Sequence, residues 1–212
     1  MAFRGCTALG AEAALHWGLS GWEAAMPDSL VLPRISELVG AVGGVMPESD
    51  RDSADVGVAE VCRVAGILEG FLRYPDLLTG GQMESDVRAY RQHVLYAAPA
   101  GGFSVVALVW LPGQQTPIHD HISWCVVGTY MGAEEETRYR LDSVSGQTGP
   151  VLAPLDIATI SAGTVTYLIP PGDIHHVRNA TSGRVISIHI YGADISALGT
   201  SIRRRYELPV RS

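Results

Sequence analysis

Four histidines carry the most chemical promise in this chain. His119-Asp120-His121 reads as a strand, where residues i and i+2 face the same side. Both imidazoles then point one way and Asp120 the other, a compact way to offer two nitrogen ligands to one metal ion. His175, after the turn Pro170-Pro171-Gly172, can supply a third. The plain alternative is a pair of strand histidines facing solvent, and an isolated His-x-His carries a real false-positive risk. A second polar cluster, Ser187, His189 and Tyr191, falls on alternate positions of another strand, with Ile188 and Ile190 on its opposite face. A hydroxyl, an imidazole and a phenol in a row can pass hydrogen bonds along that face. Its plain alternative is an edge strand with a polar side.

The spacing around the histidines narrows these readings. Gly113-x5-His119-x-His121-x3-Cys125-x6-Gly132, followed by Pro170-x-Gly172-x2-His175-x3-Asn179, resembles the two motifs of the cupin superfamily, small β-barrels with a metal inside. Every spacing of the first motif matches, but Cys125 stands where the usual glutamate ligand would be. Two histidines and a carboxylate suit non-haem Fe(II). Three neutral histidines leave a metal its full dipositive charge and favour anionic ligands at the open positions, a thiolate among them. Imidazole accepts zinc, copper, iron and nickel alike, so the ligands do not name the metal.

With Cys125 at the glutamate position and the Ser187-x-His189-x-Tyr191 triad, the chain resembles the cupin-type thiol dioxygenases, the family of cysteine dioxygenase and 3-mercaptopropionate dioxygenase. The resemblance runs from residue 86 to residue 207. It implies Fe(II) held by His119, His121 and His175, with the neighbouring His176 turned to the other side of its strand. It also implies that a substrate thiolate and O2 meet at the iron and that both oxygen atoms end on sulfur as a sulfinate. Metal coordination deprotonates a thiol whose free pKa is roughly 8.5. It also gives dioxygen a redox partner that side chains lack. Tyr191, oriented by His189 and Ser187, would hydrogen-bond the oxygen or the substrate carboxylate.

Two residues point to different substrates. Some family members carry a cysteine cross-linked through a thioether to the triad tyrosine. Counting back from Gly132, Cys125 holds that position; counting forward from His121, it falls one residue short. A Cys125–Tyr191 cross-link and a small buried thiol both stay open. Members that prefer cysteine have an arginine on the first barrel strand, whereas those that prefer 3-mercaptopropionate have glutamine. Here the resemblance puts Gln92 in that place, with Arg91 facing outward. A guanidinium grips a carboxylate bidentately, while glutamine offers a weaker neutral bond. The run Arg203-Arg204-Arg205 could supply a replacement arginine, but a solvated basic chain end is the simpler expectation. L-cysteine oxidised to cysteine sulfinate is the first reading and 3-mercaptopropionate, or a similar thiol carboxylate, the second. A cysteine-oxidising cupin of secondary metabolism, forming an S–N bond as in a sulfonamide, is a third. A zinc cupin or a non-catalytic ligand-binding cupin stands against all of them.

The elements that must position these groups change character near residue 86. Before it the pattern is helical. Ile35, Leu38, Val39 and Val42 recur at helical spacing behind Pro33. Val58, Val61, Cys62, Ala65 and Leu72 mark a second helix, opened by Ser53 or Asp55 and ending before Pro75. For residues 1–28, with Trp17 and Trp22, the pattern leaves helix and flexible tail open. From Tyr90 the period becomes two, and 90–97, 103–111, 123–131, 135–142, 151–160, 164–169 and 184–191 read as strands. Many short strands between turn signals predict a mainly β fold, a single-domain jelly-roll barrel, with N-terminal helices packed on it. The expected organisation is a helical segment over 1–85 and a cupin barrel over 86–212, together one compact domain.

Composition removes other functions. The chain has 212 residues, no lysine among its fifteen cations, and a net charge of −7. This excludes a Schiff-base or P-loop lysine and argues against nucleic acid as a partner. The three cysteines, Cys6, Cys62 and Cys125, form no CxxC pair. Their odd number, with no signal peptide, predicts a reducing, cytoplasmic setting. No run is long and apolar enough to span a bilayer. The expected partners are a small thiol and O2, for a monomer or small homo-oligomer.

Overall fold

The computed structural model describes residues 33–46, 56–99, 101–143 and 149–211. Residues 1–28, Ser53 and Asp55 lie outside that set. Among the described residues two helices precede the strands: α1 (Pro33–Gly43) and α2 (Val58–Phe71). The strands are β1 (Arg91–Ala97), β2 (Ser104–Trp110), β3 (His119–His121), β4 (Cys125–Met131), β5 (Ala133–Ser143), β6 (Pro150–Ser161), β7 (Val165–Leu168), β8 (His175–Arg178), β9 (Val185–Tyr191) and β10 (Ile202–Arg205). A short helix, α3 (Ile195–Leu198), separates the last two.

The strands form two five-stranded antiparallel sheets, in the orders β1-β2-β9-β4-β7 and β10-β3-β8-β5-β6. This is the mainly β barrel that the turn-rich, period-two pattern predicted and that the cupin resemblance implied. The seven predicted strands are present with their ends shifted by one or two residues. β8 and β10 were not among them: four residues each is too short for an alternating pattern to declare itself. The helix expected to open at Ser53 or Asp55 begins at Val58, with Gly57 at its N-cap and no side-chain cap. Cys62, on that helix, is disulfide-bonded, a pairing that the reading of a reducing setting did not anticipate.

β9 shows how the fold builds a site. It lies between β2 and β4, and all seven of its residues are buried. Ile186, Ile188 and Ile190 face outward, into the core shared with Leu38 and Val42 of α1 and Val61 and Leu68 of α2. Each such side chain stabilises the fold by about 1.5–3 kcal/mol on burial. The opposite face, carrying Ser187, His189 and Tyr191, therefore looks into the barrel. The hydrophobic layer under the helices fixes β9's register, because a one-residue slip would turn the isoleucines inward and the polar residues into the helix core.

The glycines that bound the first motif have backbone reasons. Gly113 and Gly132 take φ of +81° and +78°, the left-handed region that a side chain disfavours. A Cβ on Gly132 would also come within 2.8 Å of Val185 Cγ2. Asn179, the last residue of the second motif, is structural as well. Its amide donates to the carbonyls of Trp110 and Gly183, and its oxygen accepts from Thr181.

Candidate metal centre and facing relay

Three of the histidines converge. His119 and His121 come from β3 and His175 from β8, paired with β3 at the His119↔His175 position. Their ring centroids are 4.6–4.9 Å apart, and one nitrogen from each lies within 4.8 Å of the others. All three are at most 4 % exposed, so solvent does not occupy their nitrogens. Every Nδ1 has an acceptor. For His119 it is the Pro117 carbonyl at 2.9 Å, for His121 Asp173 Oδ2 at 2.9 Å, and for His175 Glu136 Oε1 at 2.8 Å. Three Nδ1–H donors leave three Nε2 lone pairs facing inward, and His175 Nε2 is buried with no partner. An orphaned buried lone pair is costly, and a metal ion in the cluster would satisfy it. Burial, with His175 and His121 nearby, pushes the His119 pKa down to about 2, which keeps the ring neutral as a ligand must be. Burial likewise lowers that of His175.

Two carboxylates alter the expected charge. Burial works to raise both acids, but the His175 N–H and Arg138 outweigh it at Glu136, and the His121 contacts outweigh it at Asp173. Both are held below the usual carboxylate range. The cluster keeps three neutral ligands, yet it is not remote from charge. Negative charge sits one hydrogen bond behind two of the three rings.

Asp120 points away from the cluster, as strand alternation requires. It is fully buried and held by Arg203 and by the Tyr206 hydroxyl. His176 turns aside as expected and meets Gln115.

The opposite wall of the barrel carries the second cluster. Ser187 Oγ lies 2.9 Å from His189 Nε2, and the Tyr191 hydroxyl lies 3.1 Å from His189 Nδ1. The Tyr191 ring centroid is 6.2 Å from that of His121, so the two clusters face each other. β9 is central and buried, so the edge-strand alternative fails. Burial, then His121 and His175, brings His189 down to about 3. Burial pushes the Tyr191 phenol well above its ordinary value, so near pH 7 the row is neutral from end to end. Cys125 pairs directly with Tyr191 across β4 and β9, and its Sγ lies 3.8 Å from His189 Nδ1. Burial also raises its thiol well above the usual range.

Between the walls is a cavity of about 220 Å³, smaller than the pockets that take drug-sized ligands. Gln92 and Tyr90 line it from the β1 side. Tyr90 in turn stacks on Trp110, with centroids 4.4 Å apart. Arg91 stays outside and pairs with Glu84.

The arginine run stays exposed, as a solvated end would be, but it is not a loose one. It forms β10, which pairs with β3. Arg203 binds Asp120, Arg204 lies over the Tyr206 ring, and Arg205 lines the cavity and bears on Tyr90. Sequence reasoning also missed Glu134 and Glu136. The predicted strand began at residue 135 and so left out Glu134; Glu136 lay within it but was not singled out.

A family profile described as cysteine dioxygenase type I matches residues 83–200, over half of the chain. Among solved structures, a double-stranded β-helix protein from Klebsiella pneumoniae is 16 % identical, with a TM-score of 0.41, covering 54 % of this chain and 85 % of that one. A cupin 2 barrel protein from Salinispora arenicola is 22 % identical, with a TM-score of 0.38, covering 57 % and 89 %.

Proposed function

Because the chain belongs to the cysteine dioxygenase type I family, we propose that it is a non-haem Fe(II)-dependent thiol dioxygenase whose substrate is L-cysteine, oxidised to cysteine sulfinate. The observation that carries this reading is the pairing, across one small cavity, of three inward imidazole nitrogens with a buried hydroxyl–imidazole–phenol row. His119, His121 and His175 would hold the metal. Bound there, Fe(II) would supply a redox partner for dioxygen and favour the thiolate form of the substrate.

The chain's own residues do the rest. Asp173, Glu136 and the Pro117 carbonyl hold each ring by its Nδ1 proton. The 220 Å³ volume admits a small thiol and excludes a bulky one. Arg205 at the cavity wall offers the substrate carboxylate a cation, the part that the family's first-strand arginine plays elsewhere. Tyr191 presents its hydroxyl to the reacting thiol and oxygen, oriented by His189 and Ser187.

Cys125 and Tyr191 are adjacent on one face, which supports a thioether between them. Forming it removes one hydrogen from Sγ and one from the tyrosine ring, with dioxygen taking up the electrons. Intact mass would then fall by two hydrogens.

One observation favours 3-mercaptopropionate as a second substrate reading: Gln92, not an arginine, lines the cavity from β1. The zinc-cupin reading leaves the buried row on β9 without a task.

The test is oxygen uptake by anaerobically Fe(II)-loaded protein, given L-cysteine or 3-mercaptopropionate, with mass analysis of each product. Uptake with cysteine and a sulfinate product is expected. Uptake with 3-mercaptopropionate alone moves the assignment to the second reading. An S–N bonded product would replace the sulfinate outcome. No uptake with either thiol, despite bound iron, overturns the proposal.

A further inference from the structure

The outward face of β3 carries a second device. Asp120 stands between His119 and His121, is fully buried, and points out of the barrel. Arg203 binds it side-on, with Nε toward Oδ1 and Nη2 toward Oδ2. The Tyr206 hydroxyl donates to Oδ2 at 2.7 Å. A buried carboxylate that loses its cation is left uncompensated, so this pair is unlike the exposed ion pairs that contribute little. Asp120, Arg203 and Tyr206 do not line the cavity.

What the pair holds is a bulge. Ile202 lies opposite His121, Arg204 opposite Asp120 and Arg205 opposite His119, which leaves Arg203 as the extra residue of β10. Backbone bonds tie both ends of the pairing. The Ile122 N–H donates to the Ser201 carbonyl at 3.0 Å, and the Tyr206 N–H donates to the Ile118 carbonyl at 2.9 Å. Between these ties the later segment is one residue longer than the earlier one, so an extra residue has to fall somewhere.

Its place decides which arginine enters. Residues directly opposite each other in an antiparallel pair share a face. With the extra residue at 203, Ile202 and Arg205 both face inward, and both line the cavity. In a strand without a bulge, two residues three apart could not share a face. With the extra residue at 205 instead, Arg204 would stand opposite His119.

We propose that Asp120 is a positioning residue: by holding Arg203 on the outside of the barrel it fixes the bulge at that residue, and so presents Arg205, not Arg204, at the cavity. Bulges beside active sites re-aim side chains in this way. Arg204 is kept outside, over the ring of Tyr206, the residue that also holds Asp120. The consequence is selectivity for a thiol that carries an anionic group. That this group is the substrate carboxylate rests on the function proposed above; the placing of Arg205 does not.

Crystal structures of the metal-loaded, full-length protein test the placing. In the wild type Arg205 is expected opposite His119. In Arg203→Leu and in Asp120→Ala it should leave that position, whether or not Arg204 takes it. Arg205 still opposite His119 in Arg203→Leu overturns the proposal. The Arg203 side chain is exposed, so this variant keeps the test available if Asp120→Ala fails to fold.

Anaerobic calorimetry on the Fe(II)-loaded protein tests the consequence. The ligands are L-cysteine and cysteamine, which has the same thiol and amine but no carboxylate. Arg205→Leu should weaken L-cysteine binding on the order of tenfold to a hundredfold, the range for a hydrogen bond to a charged group, and leave cysteamine unchanged. Arg203→Leu should weaken L-cysteine about tenfold, leave cysteamine and the metal content unchanged, and add nothing once residue 205 is leucine. Arg203→Lys, which keeps the ion pair, should recover most of that loss. A merely structural role would weaken both ligands together, or add to the Arg205→Leu loss, and either result overturns the proposal. If Arg205→Leu binds L-cysteine as the wild type does, the carboxylate role of Arg205 fails and this selectivity fails with it. If Arg205→Leu weakens binding and Arg203→Leu does not, only the positioning role fails. If the wild type binds neither thiol, the function proposed above fails, and the crystal structures decide the placing by themselves.

Discussion

The two walls of the barrel treat histidine in opposite ways. On the β3–β8 wall, each ring gives its Nδ1 proton to an oxygen that can only accept: a backbone carbonyl or a carboxylate. That fixes one tautomer and commits Nε2 to whatever sits in the middle. On the β9 wall, His189 has a hydroxyl at each nitrogen. A hydroxyl both donates and accepts, so either tautomer can be satisfied there. All four rings are buried and share one cavity, so exposure does not separate them. Partner chemistry does: acceptor-only neighbours make a ligand, and two-way neighbours make a relay.

The sharpest break in that contrast removes a ring from the first wall. His119→Ala or His175→Ala should abolish metal binding and turnover together, checked by metal analysis of protein loaded under anaerobic conditions. Retention of stoichiometric iron by either variant would refute the ligand assignment. Tyr191→Phe breaks the other wall. It should keep the metal while turnover falls on the order of a hundredfold, the lower range for a lost proton-transfer group. The ratio of oxygen consumed to sulfinate formed should rise, because oxidation is misdirected as well as slowed.

Much of this contrast was legible in the sequence. Strand alternation alone placed His119 with His121, turned Asp120 and His176 away, and set Ser187, His189 and Tyr191 on one face. Those inferences need only a period of two and a strand long enough to show it. What stayed hidden came from short or late-starting strands. β10 has four residues, three of them arginine, and looks like a chain end until β3 pairs with it and carries Arg205 to the cavity. Glu134 was lost because its strand begins two residues before the predicted start, and Glu136 because a glutamate within a strand does not by itself declare which face it takes. Partners on neighbouring strands far apart in sequence, such as Glu136 and His175, depend on strand pairing that no local pattern encodes.

Glu134 permits a test through stability. Its carboxyl is raised to about 7 by burial, above the 4.5 of a free glutamate. Below the unfolded value both states hold the proton, and the buried neutral acid contributes in full. Between the two values the unfolded chain releases its proton while the folded chain keeps it, so stability falls as pH rises, levelling off above the folded value. The shift corresponds to about 3 kcal/mol at most. Glu134→Gln cannot titrate, so it should gain on the wild type by up to that amount between pH 4.5 and 7. Denaturant midpoints across the range check this. A gap between the two proteins that does not change with pH would mean that Glu134 keeps one protonation state throughout.

The smallest expected effect sharpens the first wall, where two rings are backed by carboxylates and one by a carbonyl. Asp173→Asn keeps an oxygen that can accept from His121 Nδ1–H and from the His121 backbone N–H, but removes the charge. Asp173→Ala removes both. Losing such a partner typically costs 10–100-fold in metal affinity. The asparagine variant should fall about tenfold and the alanine variant about a hundredfold, measured by competition against a chelator at fixed pH. Equal losses would mean that the charge behind the ring matters and its orientation does not. A loss in the alanine variant alone would mean that Asp173 acts as the Pro117 carbonyl does, by holding a tautomer. The neutral site read from the sequence would then describe the metal's electrostatics after all, despite the two buried anions.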